Sequence, residues 1–249
     1  PHLASSGALR RGAGSARVLE GRLPCEWYEG ASGAVGPVHG LPRFSDCRFE
    51  ASYPFGRVHL SDPQIPLRVE MEGFNPFVPA DPAASGIPCA VLRFRLCNDT
   101  VRSLTAAVCG TLENFIGTDG TGGRCLGNGN TFRREETAAG GDLCGLWCTS
   151  DGVNPASERW GTMALTVRGG RDVSARPVWR QLNWNRDLLD VWEDFAEDGR
   201  LSGTYEDLPS RRETGSVPGS LATRVDVPAG ESREVVFLLT WHFPNRMTW

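Results

Sequence analysis

The sequence contains no lysine; all 26 of its basic residues are arginine. A Walker-A phosphate loop, a Schiff-base lysine and the Ser-x-x-Lys acyl-transfer motif each need an ammonium group, so all three are excluded. The bias fits a GC-rich, bacterial genome. No apolar run approaches the ~18 residues that a spanning helix needs. No basic block exceeds two or three residues, and net charge is −4 with a pI near 5.7. A nucleic-acid surface, which depends on clustered positive charge, is therefore not expected. No serine sits in G-x-S-x-G, which removes the nucleophile elbow. The four histidines, His2, His39, His59 and His242, are scattered and none pairs with another at metal spacing.

Two further motifs stop short. In GTDGTGGRCLGNGN, Gly120-x-Gly122 and Gly127-x-Gly129 are followed at the third-glycine position by Cys125 and Phe132. Neither completes G-x-G-x-x-G, and a surface loop is the better reading of this stretch. Cys144 and Cys148 have a C-x3-C spacing with Cys125 upstream, but the tight pair of pairs of a zinc site is missing. The eight cysteines read as ordinary thiols, and no metal or cofactor is expected. The N-terminal stretch lacks the basic end and apolar core of a signal peptide, so a cytoplasmic location is expected over a secreted one. It also lacks an initiating methionine, as a processed or cut chain would.

What is present describes a folded, β-rich chain. Its 249 residues are 40% hydrophobic and 22% charged, with 30 Gly and 17 Pro. A chain of that length can bury a core without disulfides or metal. Residues 1–45 are rich in Gly, Ala and Arg with little periodicity, and read as an irregular opening segment. From 46 to 249 the pattern reads as one β-sandwich domain. Leu67, Val69 and Met71 alternate with Arg68, Glu70 and Glu72, a strand with one wet face. Ala90, Leu92, Phe94 and Leu96 alternate with Arg93 and Arg95. Next, Leu104, Ala106, Val108 and Leu112 alternate with Thr105, Cys109, Thr111 and Glu113. The short Asn98-Asp99-Thr100 turn between these two runs suggests an antiparallel hairpin. MALTVR (163–168) is a further strand. LATRVDV and REVVFLLTWHF flank a Pro-Ala-Gly-Glu-Ser turn, with Val235, Phe237, Leu239 and Trp241 on one face.

One segment has helical spacing. Leu188, Leu189, Val191, Trp192, Phe195 and Ala196 recur on one face, with Asp187 as candidate N-cap and Gly199 as C′ glycine. The fold class is therefore mainly β: an antiparallel β-sandwich with one inserted amphipathic helix.

Carboxylate neighbours such as Glu70/Glu72, Glu193/Asp194 and Glu206/Asp207 sit where solvated faces or caps are expected, and none recommends itself as an acid/base pair. Eight tryptophans are present. Trp192 and Trp241 lie on apolar faces and read as core. Trp179 and Trp184, flanked by Arg and Asn, are candidates to stack on a sugar ring, with packing as the alternative.

The stretch DPQIPLRVEMEGFNPFVPADPAASGIPCAVLRFRLCNDT (62–100) resembles the N-terminal domain of glycoside hydrolase family 116, which includes non-lysosomal glucosylceramidase and bacterial β-glucosidases. Asp62 before Ile65-Pro66, the segment Asn75-Pro76-Phe77-Val78-Pro79 and Ser85 ahead of Ile87-Pro88 carry the likeness. CRFEASYPFGRVHL, WEDFAEDGRL and VPAGESREVVFLLTWHFPNR agree with it in order, so it runs from about residue 40 to 249. The resemblance implies a β-sandwich packed on an (α/α)6 barrel of the same polypeptide, the barrel carrying the nucleophile and acid/base of a retaining β-glucosidase. No catalytic residue carries over to this chain, which by itself is expected to be inactive. Trp192, His242, Phe243 and Arg246 are expected to contact the barrel, the last three where the sandwich hands over to it. The alternative is a free-standing carbohydrate-binding or interaction module.

Overall fold

The computed structural model describes residues 3–8, 15–22, 40–118, 127–137, 141–170, 172–182, 186–202 and 217–245. Fourteen strands and two helices are found among them. In chain order they are β1 (Leu3–Ala8), β2 (Ser15–Gly21), β3 (Arg43–Phe44), β4 (Asp46–Ser52), β5 (Phe55–Ser61), β6 (Arg68–Phe74), α1 (Pro82–Ser85), β7 (Cys89–Cys97) and β8 (Leu104–Asn114). Then follow β9 (Asn128–Thr137), β10 (Gly141–Ser150), β11 (Thr162–Arg168), β12 (Asp172–Arg176), α2 (Arg186–Asp198), β13 (Val217–Val227) and β14 (Ser232–His242). They form a six-stranded sheet, β12-β13-β8-β1-β2-β3, facing an eight-stranded sheet, β4-β5-β6-β7-β14-β11-β10-β9. The main core lies between them: Leu60, Val69, Phe94, Leu96 and Phe237 of the large sheet meet Ala106, Val108, Leu112 and Leu221 of the small one.

The period-two reading of β6, β7 and β14 holds. Leu67 and Val69 are buried and Met71 packs on the core, while Arg68, Glu70 and Glu72 face outward. On that outer face Arg57 reaches Glu72 at 2.7 Å, Arg93 reaches Glu72 at 3.3 Å and Arg95 reaches Glu70 at 3.8 Å. Opposite charges on neighbouring strands stabilise a solvated face, and Glu70 and Glu72 serve there as arginine partners.

The expected β7–β8 hairpin is an arch instead, and the strand-turn-strand at β13–β14 is a second arch. β7 belongs to the large sheet and β8 to the small one, and β13 and β14 are divided in the same way. Alternation shows which face of a strand is buried and is silent on its neighbour, so a short turn permits either a hairpin or a crossing. Asn98, 1% exposed, explains the crossing. Its Nδ2 donates to the carbonyls of Arg102, Val227 and Pro228, and its backbone N–H donates to Glu231 O. Its Oδ1 accepts from the N–H and the hydroxyl of Thr100. One buried amide thus ties both arches together.

The wet face expected of β8 is also covered. Ala107 and Cys109 lie under helix α2 in a second cluster with Val191, Phe195, Leu201 and Ala222. Burying Val191 and Phe195 contributes about 1.5–3 kcal/mol each. Helix α2 ends as its sequence implies: Gly199 has φ 78°, and its N–H donates to Phe195 O. Asp187 stands one residue inside the first turn, its Oδ1 accepting from the Leu188 N–H. From β12, Arg176 grips the helix through Asp190 (2.5 Å) and Asp194 (2.9 Å).

Two further expectations are corrected. Residues 1–45 supply β1, β2 and β3, because small residues pair through their backbone without leaving an apolar period. The end of the Gly-rich stretch read as a surface loop is instead buried strand, Asn128 and Asn130 opening β9, which pairs with β10 as a hairpin whose exposed residues include Arg133, Arg134, Glu135 and Glu136. No described helix is long and apolar enough to cross a membrane.

Candidate functional site

Register fixes which residues share an end of the sandwich. Ser52 pairs with Phe55, Phe55 with Phe74, Phe74 with Val91, Cys89 with Thr240, and Thr162 with His242. The β4–β5 turn, the β6–β7 connection and the chain leaving β14 therefore lie together. The end of β8 joins them through buried asparagines. Asn114 Nδ2 donates to Gly129 O, Asn130 Oδ1 and Thr149 O; Asn128 Nδ2 donates to Ile116 O; Asn130 Nδ2 donates to Pro177 O and Val217 O. These asparagines bridge the two sheets, and the motif that looked like a phosphate loop supplies two of them.

Large apolar side chains remain uncovered at this end. Tyr53 is 83% exposed, Ile87 50%, Phe115 47%, and Phe77 and Val78 46% each. Tyr53 meets Phe77 edge-on at 5.5 Å, and Phe115 stacks on Phe243 at 6.3 Å. The Asn75–Pro79 corner that presents Phe77 and Val78 is braced rather than loose. Asn75 Nδ2 donates to Cys89 O, the Val78 N–H donates to Ser85 Oγ, and Asp81 caps α1 through the Ala84 N–H. Ala80 is held at φ 63°, a left-handed backbone costing a residue with a Cβ about 1–2 kcal/mol. Gly161 admits the chain leaving β14, since a Cβ there would lie 2.4 Å from His242 O and 2.5 Å from the Phe243 ring. Asn245 Nδ2 then donates to Ser157 O at 3.0 Å. Exposed apolar side chains gathered at one end of a braced frame suit contact with another protein surface.

The residues expected from sequence divide. His242 is exposed and Phe243 half-buried at this end; Arg246 and Trp184 lie outside the described residues. Trp192 is half-buried against Val18 and Leu41, on the outer side of the small sheet and apart from the others. Trp179 is 7% exposed beneath helix α2, its Nε1 donating to Ser220 Oγ at 2.8 Å. That is the packing alternative, and it corrects the sugar-stacking expectation for Trp179: the ring has no open face. Tyr53, Ile87 and Phe115 were missed, because they come from separate turns that only strand register gathers. Among the described residues no group of three or more His, Cys, Asp or Glu could hold a metal ion. A cleft of about 410 Å3 opens at the opposite end beside Arg168, Asp172, Arg224 and Asp226. Asp226 accepts from the Thr105 hydroxyl and Asp172 pairs with Arg200, and Glu234 lines the same cleft.

The family described as "beta-glucosidase 2, glycosyl-hydrolase family 116 N-term" matches residues 10–248. No curated protein matches. Among solved structures, the chain is similar to one described as a putative kojibiose phosphorylase from human microbiome, with 10% identity and a TM-score of 0.37. The similarity covers 78% of this chain and 18% of that one.

Proposed function

The chain belongs to the glycosyl-hydrolase family 116 N-terminal domain family, and from that premise we propose that it is the non-catalytic sandwich of a retaining β-glucosidase or glucosylceramidase-type enzyme. Its task is to seat and stabilise an (α/α)6 catalytic domain of the same polypeptide. The observation carrying this reading is the gathering of Tyr53, Phe77, Val78, Ile87 and Phe115 at the end where the chain leaves β14. His242, Phe243 and Arg246 complete the contact. The sandwich contributes no acid, base or nucleophile; it fixes the orientation of the partner that does. An exposed thiol such as Cys47 suits the reducing cytoplasm, where we place the protein.

The test uses the longer polypeptide. Phe77→Asp with Phe115→Asp should leave the isolated 249-residue chain folded, with an unchanged melting temperature. The same pair in the full enzyme should lower the inactivation temperature of β-glucosidase activity. Unchanged inactivation, or hydrolysis of an aryl β-glucoside by the isolated chain, would overturn the reading.

A further inference from the structure

Strand β4 is the outer edge of the large sheet, and it has neither the proline nor the bulge that usually interrupts such an edge, its charges being of both signs. It runs seven residues, contains no proline, and keeps an unbroken register with β5 from Asp46↔Ser61 to Ser52↔Phe55. Most of its residues are exposed, Phe49 to 66%, with Gly21 of β2 approaching only at Cys47. An edge of this kind presents unpaired N–H and C=O groups as a template for another strand.

We propose that the occupant is a second copy of this chain, joined antiparallel through β4 about a twofold axis at Phe49. The sequence Asp46-Cys47-Arg48-Phe49-Glu50-Ala51-Ser52 is complementary to itself in that register. Phe49 meets the partner's Phe49, Arg48 meets the partner's Glu50, and Glu50 meets the partner's Arg48. Cys47 stands opposite the partner's Ala51 and Asp46 opposite the partner's Ser52, so no like charges oppose. A twofold perpendicular to a sheet preserves its faces, so directly opposed residues must come from the same face of the strand. Arg48 and Glu50 satisfy this, being two apart, and they already form an ion pair on one face of β4. Joining the copies converts that pair into two cross-strand pairs, the stronger arrangement for a sheet. The two Phe49 rings meet on the opposite face, where each already lies over Gly56.

The other edge of this sheet makes the contrast. β9 carries Arg133-Arg134-Glu135-Glu136. Matching every arginine with a glutamate there needs an axis between Arg134 and Glu135, which would oppose residues from different faces. Shifting the axis by half a residue puts Arg134 against Arg134 or Glu135 against Glu135. Charge therefore selects β4 and rejects β9. This pairing lies along the side of the sheet and is independent of the catalytic-domain reading.

Sedimentation velocity on the full 249-residue chain tests it. The mass should rise with concentration from one 27.1 kDa chain toward two. Arg48→Glu alone and Glu50→Arg alone each oppose like charges twice, and each should weaken dimerisation about tenfold. Mixing these two variants should restore the dimer, because every opposed pair across a mixed dimer is then of opposite sign. The double variant should also dimerise by itself. Ala51→Cys should give a disulfide-linked dimer through the partner's Cys47 on mild oxidation. Both charged positions are on the surface, so loss of folding does not intervene, and circular dichroism verifies that. A single-chain mass at every concentration would overturn the proposal. So would a dimer indifferent to the single reversals, or single variants that fail to recombine.

Discussion

The side-chain amide of Asn98 donates to the carbonyl of Val227 at 2.9 Å, joining two inter-sheet crossings that lie 129 residues apart in sequence. The same Nδ2 serves Arg102 O and Pro228 O, so a single polar side chain satisfies carbonyls that both arches would otherwise bury unpaired. Asn98→Ala should destabilise the domain by about 3 kcal/mol, since buried carbonyls lose their donor and cannot all regain water. Asn98→Asp should be at least as damaging, because it turns an acceptor toward acceptors. Urea denaturation followed by tryptophan fluorescence measures both. The burial also places the Asn98-Asp99-Thr100 sequon beyond the reach of a glycan in the folded chain.

Arg176 holds helix α2 onto the small sheet through Asp190 and Asp194. Arg176→Met should cost about 2 kcal/mol, less than the 3–5 of a sealed ion pair. Asp190 is 25% exposed and keeps Arg180 at 3.8 Å, so one carboxylate is not stranded. Helical ellipticity at 222 nm should fall before the β-sheet signal does. Simultaneous loss of the two signals would count against a helix held chiefly by this grip.

Burial pushes the thiols of Cys109 and Cys148 up to about 12, against an ordinary value of 9.0. The folded chain therefore keeps protons that the unfolded chain releases above pH 9, and stability should fall as pH rises from 9 toward 12. The urea midpoint should drop between pH 8 and pH 10.5. Cys109→Ala with Cys148→Ala should flatten that slope while lowering the midpoint at pH 8. Both thiols should resist a disulfide reagent until unfolding, whereas exposed Cys47 should react in the native state.

At the acid end Asp62 behaves oppositely. Burial acts to raise its carboxyl, but the Gln64 N–H and the Arg17 guanidinium outweigh it, holding the group below the ordinary 3.8. A lowered folded value stabilises above pH 3.8 and is lost as pH falls through it. Asp62→Asn should be less stable at pH 7 and show a shallower loss between pH 4 and pH 2.

The sequence made the faces of β6, β7 and β14 legible, and that of α2 apart from exposed Leu189, together with the Gly199 terminus, because alternation and helical spacing report burial directly. It hid the partners. β7–β8 read as a hairpin, since a short turn between apolar strands looks alike whether the strands pair or face each other. β8 read as half-wet because Ala107 and Cys109 are small and ambiguous until a helix is known to lie over them. β9 was masked by the charge of its outward residues. The exposed apolar end of the sandwich was legible only as separate corners. Phe77 and Val78 stood out in Asn-Pro-Phe-Val-Pro, but Tyr53 and Phe115 join them through register alone. Trp179 carried two readings until its burial decided between them.

The arches also set an order of events for the growing chain. The half-sheet β4-β5-β6-β7 and the half-sheet β11-β10-β9 share no edge until β14 is laid between them, and β12 meets β8 only through β13. During synthesis the ribosome therefore delivers some two hundred residues of strands whose central neighbours do not yet exist. Such strands expose open edges, so a ribosome-bound chain that ends before β14 should be cut readily by protease, and resistance should rise sharply once β14 has emerged.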